Sequence, residues 1–550
     1  MTIYRQIYQK IIDDIRSGKL KPGEKLASIR KYADENGISC NSVQNAYNQL
    51  LEEGYIFSRE KSGYYVADFE ENLIHLQNKD RHVKRNRDIK NEETKKPKQD
   101  KLDEQDKQAR QYETDEQAKQ FKAGGDKDII YLSANLTDSS IFPYETLRHL
   151  YRQVLSDKNN SILGQNGNFC GDFALRDAIS NYLYKHRGIE CTPDQIIIGG
   201  GTAALMAQLI KLFDFAADTE TEVEAKPMGT ESTGSTSENP MGTESTKPKG
   251  TGLTFFLETP CYQKTQRIIQ DAGCKIIPLP LDENGAIVPY EDSAPPAQIP
   301  PSTSIPTSAK VPTSASMPTF AKIPTQTSAL PSRASILLIT PSHQFPLGIT
   351  MPVTRRTALL RWASEKTMCF IIEDDYDSEF RYKGHPIPAL QSMDKNGRVI
   401  YLGTFSRTLT PSMRINYAVL PSALAALYKK RFDYYSCPVP RIEQQVLSLF
   451  INGGYFERHI NRSKKIYKAR RDLMIEQLTK KLPEAYLSGT NAGLHFIMKV
   501  PDEENFIKKA AANNLIIQGT GSGWVIIGYA HLNKSQIIQA AERIKQTMED

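Results

Sequence analysis

From residue 70 to residue 127 the chain offers almost nothing that a protein core could bury. The run KRNRDIKNEETKKPKQDKLDEQDKQARQYETDEQAKQ is charge and amide without periodic apolar positions. Such a stretch cannot repay the entropy of ordering its backbone, so it predicts a flexible linker with at most transient helix. The 550 residues are thereby divided into a small head, 1–69, and a large body, 128–550. That division suits a length prior of roughly three or four units of about 150 residues.

Composition then excludes several classes. With 39% hydrophobic and 24% charged residues the chain is that of a globular protein diluted by polar segments. No apolar run approaches a membrane span, and residues 1–10 lack the apolar centre of a signal peptide, so a cytoplasmic protein without membrane contacts is expected. Seven cysteines, scattered and never in a CxxC pair, argue for reduced thiols rather than disulfides or a zinc site; no metal is expected. The net charge of +6 is small for this length, so any case for nucleic acid must come from local patterning.

Two low-complexity segments interrupt the body. One, at about 217–250, carries PMGTEST twice; the other, at about 291–333, carries the six-residue series IPTSAK, VPTSAS, MPTFAK, IPTQTS. Repeats this short and this rich in Pro, Ser and Thr build no solenoid, so they read as loop expansions within one fold. Between them QIIIGG, TFFLE, SILLITP, CFIIEDD and VIYLGTF each end in turn or polar residues and alternate with amphipathic stretches. That pattern predicts an α/β fold with a mostly parallel central sheet and ligands at the strand ends.

The head has its own grammar. Ile7, Ile11, Ile12 and Ile15 make a helical stripe ended by Ser17-Gly18. SIRKYADENG predicts a short helix closed by Gly37, and residues 39–53 a second one with Val43, Ala46, Tyr47, Leu50 and Leu51 inward. YIFSREKSGYYV then predicts a two-stranded wing with Arg59 and Lys61 near its tip. A helix, a glycine turn and a second helix beginning with small or polar residues is the helix-turn-helix pattern.

These residues in this order, YRQIYQKIIDDIRSGKLKPGEKLASIRKYADENGISCNSVQNAYNQLLEEGY followed by SREKSGYYV, resemble the N-terminal domain of the GntR family. The resemblance implies a double-stranded DNA operator as partner. By position, Arg30 would hold a phosphate or reach a base, Ser39, Cys40, Asn41 and Gln44 would face the major groove, and Arg59, Lys61, Ser62 and Gly63 would approach the minor groove and backbone. Many family members carry a basic residue where Cys40 or Gln44 stands, so the target sequence does not transfer.

The body resembles fold-type I pyridoxal-phosphate transferases, and specifically the aminotransferase-like domain of the MocR subfamily of GntR regulators, with a small C-terminal α+β subdomain. GGGTAALMAQL at 199–209 follows a strand and opens a helix, so its free N–H groups suit a phosphate; the resemblance places Gly201, Thr202 and Ala203 there. It places Tyr262 of LETPCY on the pyridine face, and His343 of TPSHQFPLG beside the ring and its 3-hydroxyl. In IIEDDYDSEFRY it pairs Asp374 with the pyridine nitrogen and Tyr376 with the ring oxygen, whereas Asp375 and Asp377 read as a solvated acidic turn.

VIYLGTFSRTLTPSMRINYAVLP matches the segment that carries the Schiff-base lysine, and the matching position holds Arg407. Thr404, Ser406 and Arg414 keep the phosphate-binding pattern. A guanidinium stays protonated and neither attacks an aldehyde nor shuttles protons. No lysine follows in this segment before Lys429, and no arginine lies between Asp472 and His531 to hold a substrate carboxylate.

The resemblance and the substitution together imply a homodimeric regulator whose body senses a small molecule, with pyridoxal 5'-phosphate a candidate that would be held non-covalently. Two alternatives stay open: an active aminotransferase carrying a DNA-binding head, and a ligand-free dimerisation scaffold.

Overall fold

The computed structural model describes residues 3–17, 19–52, 55–59, 62–67, 129–156, 164–224, 251–289, 334–382 and 387–549. The linker, Lys61 and nearly all of the two repeat segments lie outside these residues. Where the first repeat segment was expected to begin, a helix instead continues to Glu224.

The head is built as its periodicity requires. Helix α1 (Ile3–Arg16) buries Ile7, Ile11, Ile12 and Ile15. Helix α2 (Ile29–Asn36) is capped by Ser28, whose side chain accepts from the Lys31 N–H, and is closed by Gly37 at φ +63°. Only a residue without Cβ enters that left-handed conformation at no steric cost. Helix α3 (Cys40–Glu52) sinks Val43, Ala46, Tyr47 and Leu50 completely, and the Tyr47 hydroxyl donates to the Ala27 carbonyl at 2.9 Å. Strands β1 (Ile56–Arg59) and β2 (Gly63–Val66) pair antiparallel, Ile56 against Val66 and Arg59 against Gly63.

The body opens with β3 (Ile130–Tyr131), α4 (Tyr144–Val154), α5 (Phe173–Arg187) and β4 (Ile196–Gly199). Next come α6 (Thr202–Glu224), β5 (Leu253–Thr259), α7 (Gln263–Asp271), β6 (Lys275–Asp282), β7 (Gly285–Ala286) and β8 (Ala334–Ile339). Helix α8 (Val353–Ser364) leads to β9 (Cys369–Asp375), β10 (Val399–Thr404) and β11 (Asn416–Val419).

The large sheet runs β4-β11-β10-β9-β8-β5-β6-β7. Its centre, from β10 to β6, is parallel, and β11, β4 and β7 join antiparallel at the margins. The central strands are nearly unbroken apolar runs because both faces are covered: Leu205, Phe213, Phe255, Ile336 and Ile372 pack in one core, and Phe256, Leu337, Leu359, Trp362 and Ile371 in another.

Helices α9 (Ser422–Arg431), α10 (Arg441–Asn452) and α11 (Tyr455–Lys481) lead into the small subdomain. There β12 (Leu487–Ser488), β13 (His495–Lys499), α12 (Glu503–Ala512), β14 (Leu515–Ile516), β15 (Gln518–Gly519), β16 (Trp524–Gly528) and α13 (Lys534–Glu549) surround one apolar core. Strands β12, β13, β16 and β15 form an antiparallel sheet, and β14 pairs in parallel with β3, so the start of the body is stitched into this subdomain. Gly528 shows how tight the stitch is: a Cβ there would lie 2.2 Å from the Ser133 carbonyl oxygen. No described helix is long and apolar enough to cross a membrane.

Asp375 and Asp377, expected in a solvated turn, are buried. Asp375 forms a 2.7 Å ion pair with Arg187 of α5 and accepts from the Tyr401 and Ser378 hydroxyls; Asp377 meets His343 at 3.0 Å. A sequence-local reading missed them because the compensating groups come from distant elements. Arg187→Met keeps bulk but leaves Asp375 uncompensated, and denaturant unfolding of the body is expected to show a loss of about 3–5 kcal/mol; a loss under ~1 kcal/mol would show that the pair is not structural.

Candidate functional site

On the head, Arg30 projects exposed from the first turn of α2, and Cys40 and Asn41 are exposed at the start of α3. Two of the expected readers are partly committed elsewhere. The Ser39 hydroxyl accepts from the Ser42 N–H at 3.2 Å and so caps α3, and Gln44 donates to Asn48 along the same helix at 2.8 Å. On the wing, Arg59 is exposed with its guanidinium 4.8 Å from the Tyr65 ring centre, and Ser62 and Gly63 border it. The Ser62 hydroxyl lies 2.6 Å from that of Tyr65.

Lys25, which the sequence did not single out, bridges to Tyr65 from the turn after α1 and brings its ammonium within 5.9 Å of the same ring. Hydrogen bonding to Ser62, aided by the charges of Lys25 and Arg59, holds the Tyr65 hydroxyl below its ordinary pKa. The wing thus presents two cations around one aromatic, a surface suited to a phosphate backbone.

In the body, the expected ligand residues follow the C-terminal ends of β4, β5, β8, β9 and β10, with Arg414 just before β11. Gly199-Gly200-Gly201 turns from β4 into α6, and Gly201 takes φ +121°. The Gly201 N–H donates to Asn416 at 2.8 Å, and a Cβ on Gly201 would lie 2.3 Å from the Arg414 guanidinium. A glycine is therefore required for Arg414 to close over the start of α6, where Thr202 and Ala203 offer main-chain N–H groups to an anion. Thr404 and Ser406 stand together at the end of β10, the Thr404 hydroxyl accepting from the Ser406 N–H at 3.1 Å.

After β5, Tyr262 is exposed and meets Phe345 edge-to-face at 5.7 Å, while Phe345 meets Tyr376 in the same manner at 6.0 Å. Asp374, at the end of β9, is partly buried, and its carboxyl accepts no hydrogen bond among the described residues. Burial, with the charges of Asp375 and Asp377, pushes its pKa up to about 7 against the opposing charge of Arg407. Such a carboxyl lacks a partner that a protonated ring nitrogen would supply.

His343, expected beside the ring, bonds to Tyr376, the residue expected at the ring oxygen. It is buried, with Nδ1 3.0 Å from both the Asp377 carboxylate and the Tyr376 hydroxyl, so it orients Tyr376 from behind. His495 of β13 donates or accepts at the Pro346 carbonyl through Nε2 at 3.0 Å and lies 5.2 Å from His343 between ring centres. His343, Asp377 and His495 bring possible metal-ligand atoms within 4.8 Å of one another, but these hydrogen bonds already account for Asp377 and His495.

Sequence reading also passed over Glu258, the only charge in the apolar strand TFFLE. It accepts from the Thr340 N–H and hydroxyl, and burial pushes its pKa up to about 7. Arg407, at the end of β10, directs its guanidinium to the Ala134 carbonyl at 2.5 Å and to the Asn135 side-chain oxygen, 5.9 Å from the Tyr376 ring centre.

Residues 3–66 match the family described as bacterial regulatory proteins, gntR family. The uncharacterized HTH-type transcriptional regulator YdeL of Bacillus subtilis (strain 168) is 28% identical over 555 residues, covering 99% of this chain and 96% of its own. The HTH-type pyridoxine biosynthesis transcriptional regulator PdxR of Corynebacterium glutamicum is 26% identical over 512 residues, covering 93% and 86%. Among solved structures, a Pyrococcus horikoshii kynurenine aminotransferase in complex with PMP superposes with a TM-score of 0.56 at 22% identity, covering 80% of this chain and 96% of that one. The head is thus a gntR-type helix-turn-helix, and the body has the fold-type I aminotransferase architecture.

Two measurements probe these surfaces. Arg30→Ala and Arg59→Ala are each expected to weaken operator binding by about tenfold and to flatten its salt dependence by about one counterion; unchanged affinity and slope in a gel-shift series would remove them from the interface. Asp374 has a folded pKa above its unfolded value near 4, so its contribution to the stability of the ligand-free protein is complete below that value and is lost as pH rises through about 7. Asp374→Asn should flatten the pH dependence of thermal unfolding across that window, and an unchanged slope would contradict the assignment.

Proposed function

We propose that this chain, a transcription regulator with an aminotransferase-like domain, is a MocR-type protein of the cytoplasm. Its head reads double-stranded operator DNA as one half of a homodimer, and its body senses a small molecule built on a phosphorylated pyridine ring without transaminating it. The observation that carries this reading is Arg407. It stands at the end of β10, near Tyr376 and Asp374, in the segment whose resemblance calls for a lysine.

The residues fit the ring and its phosphate. Gly201, Thr202, Ala203, Thr404, Ser406 and Arg414 would hold the phosphate, Asp374 the ring nitrogen, Tyr376 the ring oxygen, and Tyr262 a ring face. Pyridoxal phosphate, when bound, supplies an electron-accepting pyridine. The chain's own residues bind and orient: Asp377 positions His343, His343 positions the Tyr376 hydroxyl, and burial keeps that hydroxyl a neutral donor.

What they do not provide at the end of β10 is a nucleophile, because a guanidinium holds its proton throughout the physiological range. The printed names of the relatives, one of them a pyridoxine biosynthesis regulator, support a regulatory role and a vitamin B6-like ligand.

Borohydride treatment of the protein incubated with pyridoxal phosphate should fix no adduct at a lysine of the body. Equilibrium dialysis should nevertheless show uptake, weakened about tenfold or more by Arg414→Ala or Asp374→Asn. A reduced lysine adduct within the site, or turnover of an amino donor, would establish the protein as an enzyme. Absence of any uptake would leave the body a scaffold.

A further inference from the structure

Arg407 does not wait in the site with an empty fork. One terminal nitrogen donates to the main-chain oxygen of Ala134 and the other to the side-chain oxygen of Asn135. Two adjacent oxygens received by two N–H groups of one guanidinium is the arrangement a carboxylate adopts on arginine. Both oxygens here are neutral, and a carboxylate in their place would add the attraction of opposite charges to the two hydrogen bonds.

Residues 134 and 135 belong to the segment by which the chain enters the body. Just before them, Leu132 donates from its N–H to the Ile516 carbonyl at 2.8 Å and accepts from the Gly528 N–H at 3.1 Å, and β3 pairs with β14. Just after them, Asp138 pairs with Arg470 of α11 at 2.5 Å. Arg407 thus ties the end of β10, in the large sheet, to a segment otherwise stitched to the small subdomain.

We propose that Ala134 and Asn135 act as a built-in surrogate for the carboxylate of the effector. A carboxylate-bearing small molecule seated in the cleft takes Arg407 from them and so loosens the entry segment of the body. The proposal rests on the reading of the cleft as a phosphopyridine site. It adds the second chemical feature of the ligand and the way its arrival is felt.

The chemistry selects the class. The fixed positive charge of Arg407 disfavours an ammonium at that point and favours an anion. The stretch from Leu473 to Ala530, covering the strands of the small subdomain, contains no arginine that could receive the carboxylate instead.

The test uses the full chain and two probes sharing ring and phosphate: N-(5'-phosphopyridoxyl)glycine, which carries a carboxylate, and pyridoxine 5'-phosphate, which does not. Calorimetric titration should show the carboxylate probe binding about tenfold tighter. Arg407→Gln should erase that difference. Asn135→Ala should tighten binding of the carboxylate probe several-fold while leaving pyridoxine phosphate unchanged, a gain that misfolding would not produce. Hydrogen exchange of amides 130–136 should rise with the carboxylate probe alone.

Equal affinities of the two probes for the native chain would overturn the surrogate while leaving the phosphopyridine reading in place. Failure of both probes to bind would overturn the two together. Weaker binding of the carboxylate probe to Asn135→Ala would show Asn135 to be a ligand contact and would likewise overturn the surrogate.

Discussion

Asp375 lies at the end of a strand with its carboxylate out of water, and Arg187, near the end of α5, supplies the charge that makes this tolerable. The pair fixes more than itself. Arg187 also donates to the Ser342 hydroxyl at 2.8 Å and to the Ile387 carbonyl, so one guanidinium joins the β8 and β9 loops to α5. Side chains alternate along an extended strand. Once Asp375 is held to one side, its neighbours Asp374 and Tyr376 turn to the other, where the cleft is. The carboxyl and phenol expected at the ring are therefore positioned by a residue outside the expected ligand set.

A similar division of labour runs through the rest of the site. Asn416 holds the Gly201 N–H, Asp377 and His343 hold Tyr376, and Glu258 holds the Thr340 turn. These supports come from different elements, and each carries a polar or charged group out of water. Asp374 stands apart because its carboxyl has no such hydrogen bond among the described residues, and burial raises its pKa to about 7. A protonated nitrogen brought by a ligand would reverse that shift, since an opposite charge stabilises the carboxylate.

The range of each interaction decides how much of the molecule was legible in its sequence. The head could be read almost whole because its signals are local: a stripe of isoleucines, a glycine closing α2, and the two strands of the wing. Strands β4, β5, β8, β9 and β10 were legible for the same reason, as apolar runs broken by turns. Asp374 and Asp375 mark the limit. They are adjacent and chemically identical, and which of them is ion-paired is decided by Arg187, far upstream. The same holds for His343, joined to Tyr376 and Asp377 from another strand end, whereas Ser39 went unread as a cap although its partner Ser42 is local. Lys25 escaped notice because its relation to Tyr65 exists only once the wing has folded back on the turn after α1.

Arg407 joins these levels. A lysine at the end of β10 could commit a cofactor covalently, whereas a guanidinium can only exchange partners. The partners it holds, Ala134 and Asn135, are neutral acceptors of a charged donor, each hydrogen bond worth about 1.5–3 kcal/mol, and a carboxylate would add the attraction of its own charge. Exchanging the neutral pair for a carboxylate shifts the balance by only a few kcal/mol, the scale at which allosteric couplings operate, about 1–3 kcal/mol. Such a preference releases its ligand when the concentration falls, as a regulator must and a covalent anchor would resist. The exchange takes place at the first segment of the body that the chain reaches after the head, so the reporting contact needs no wire through the large core.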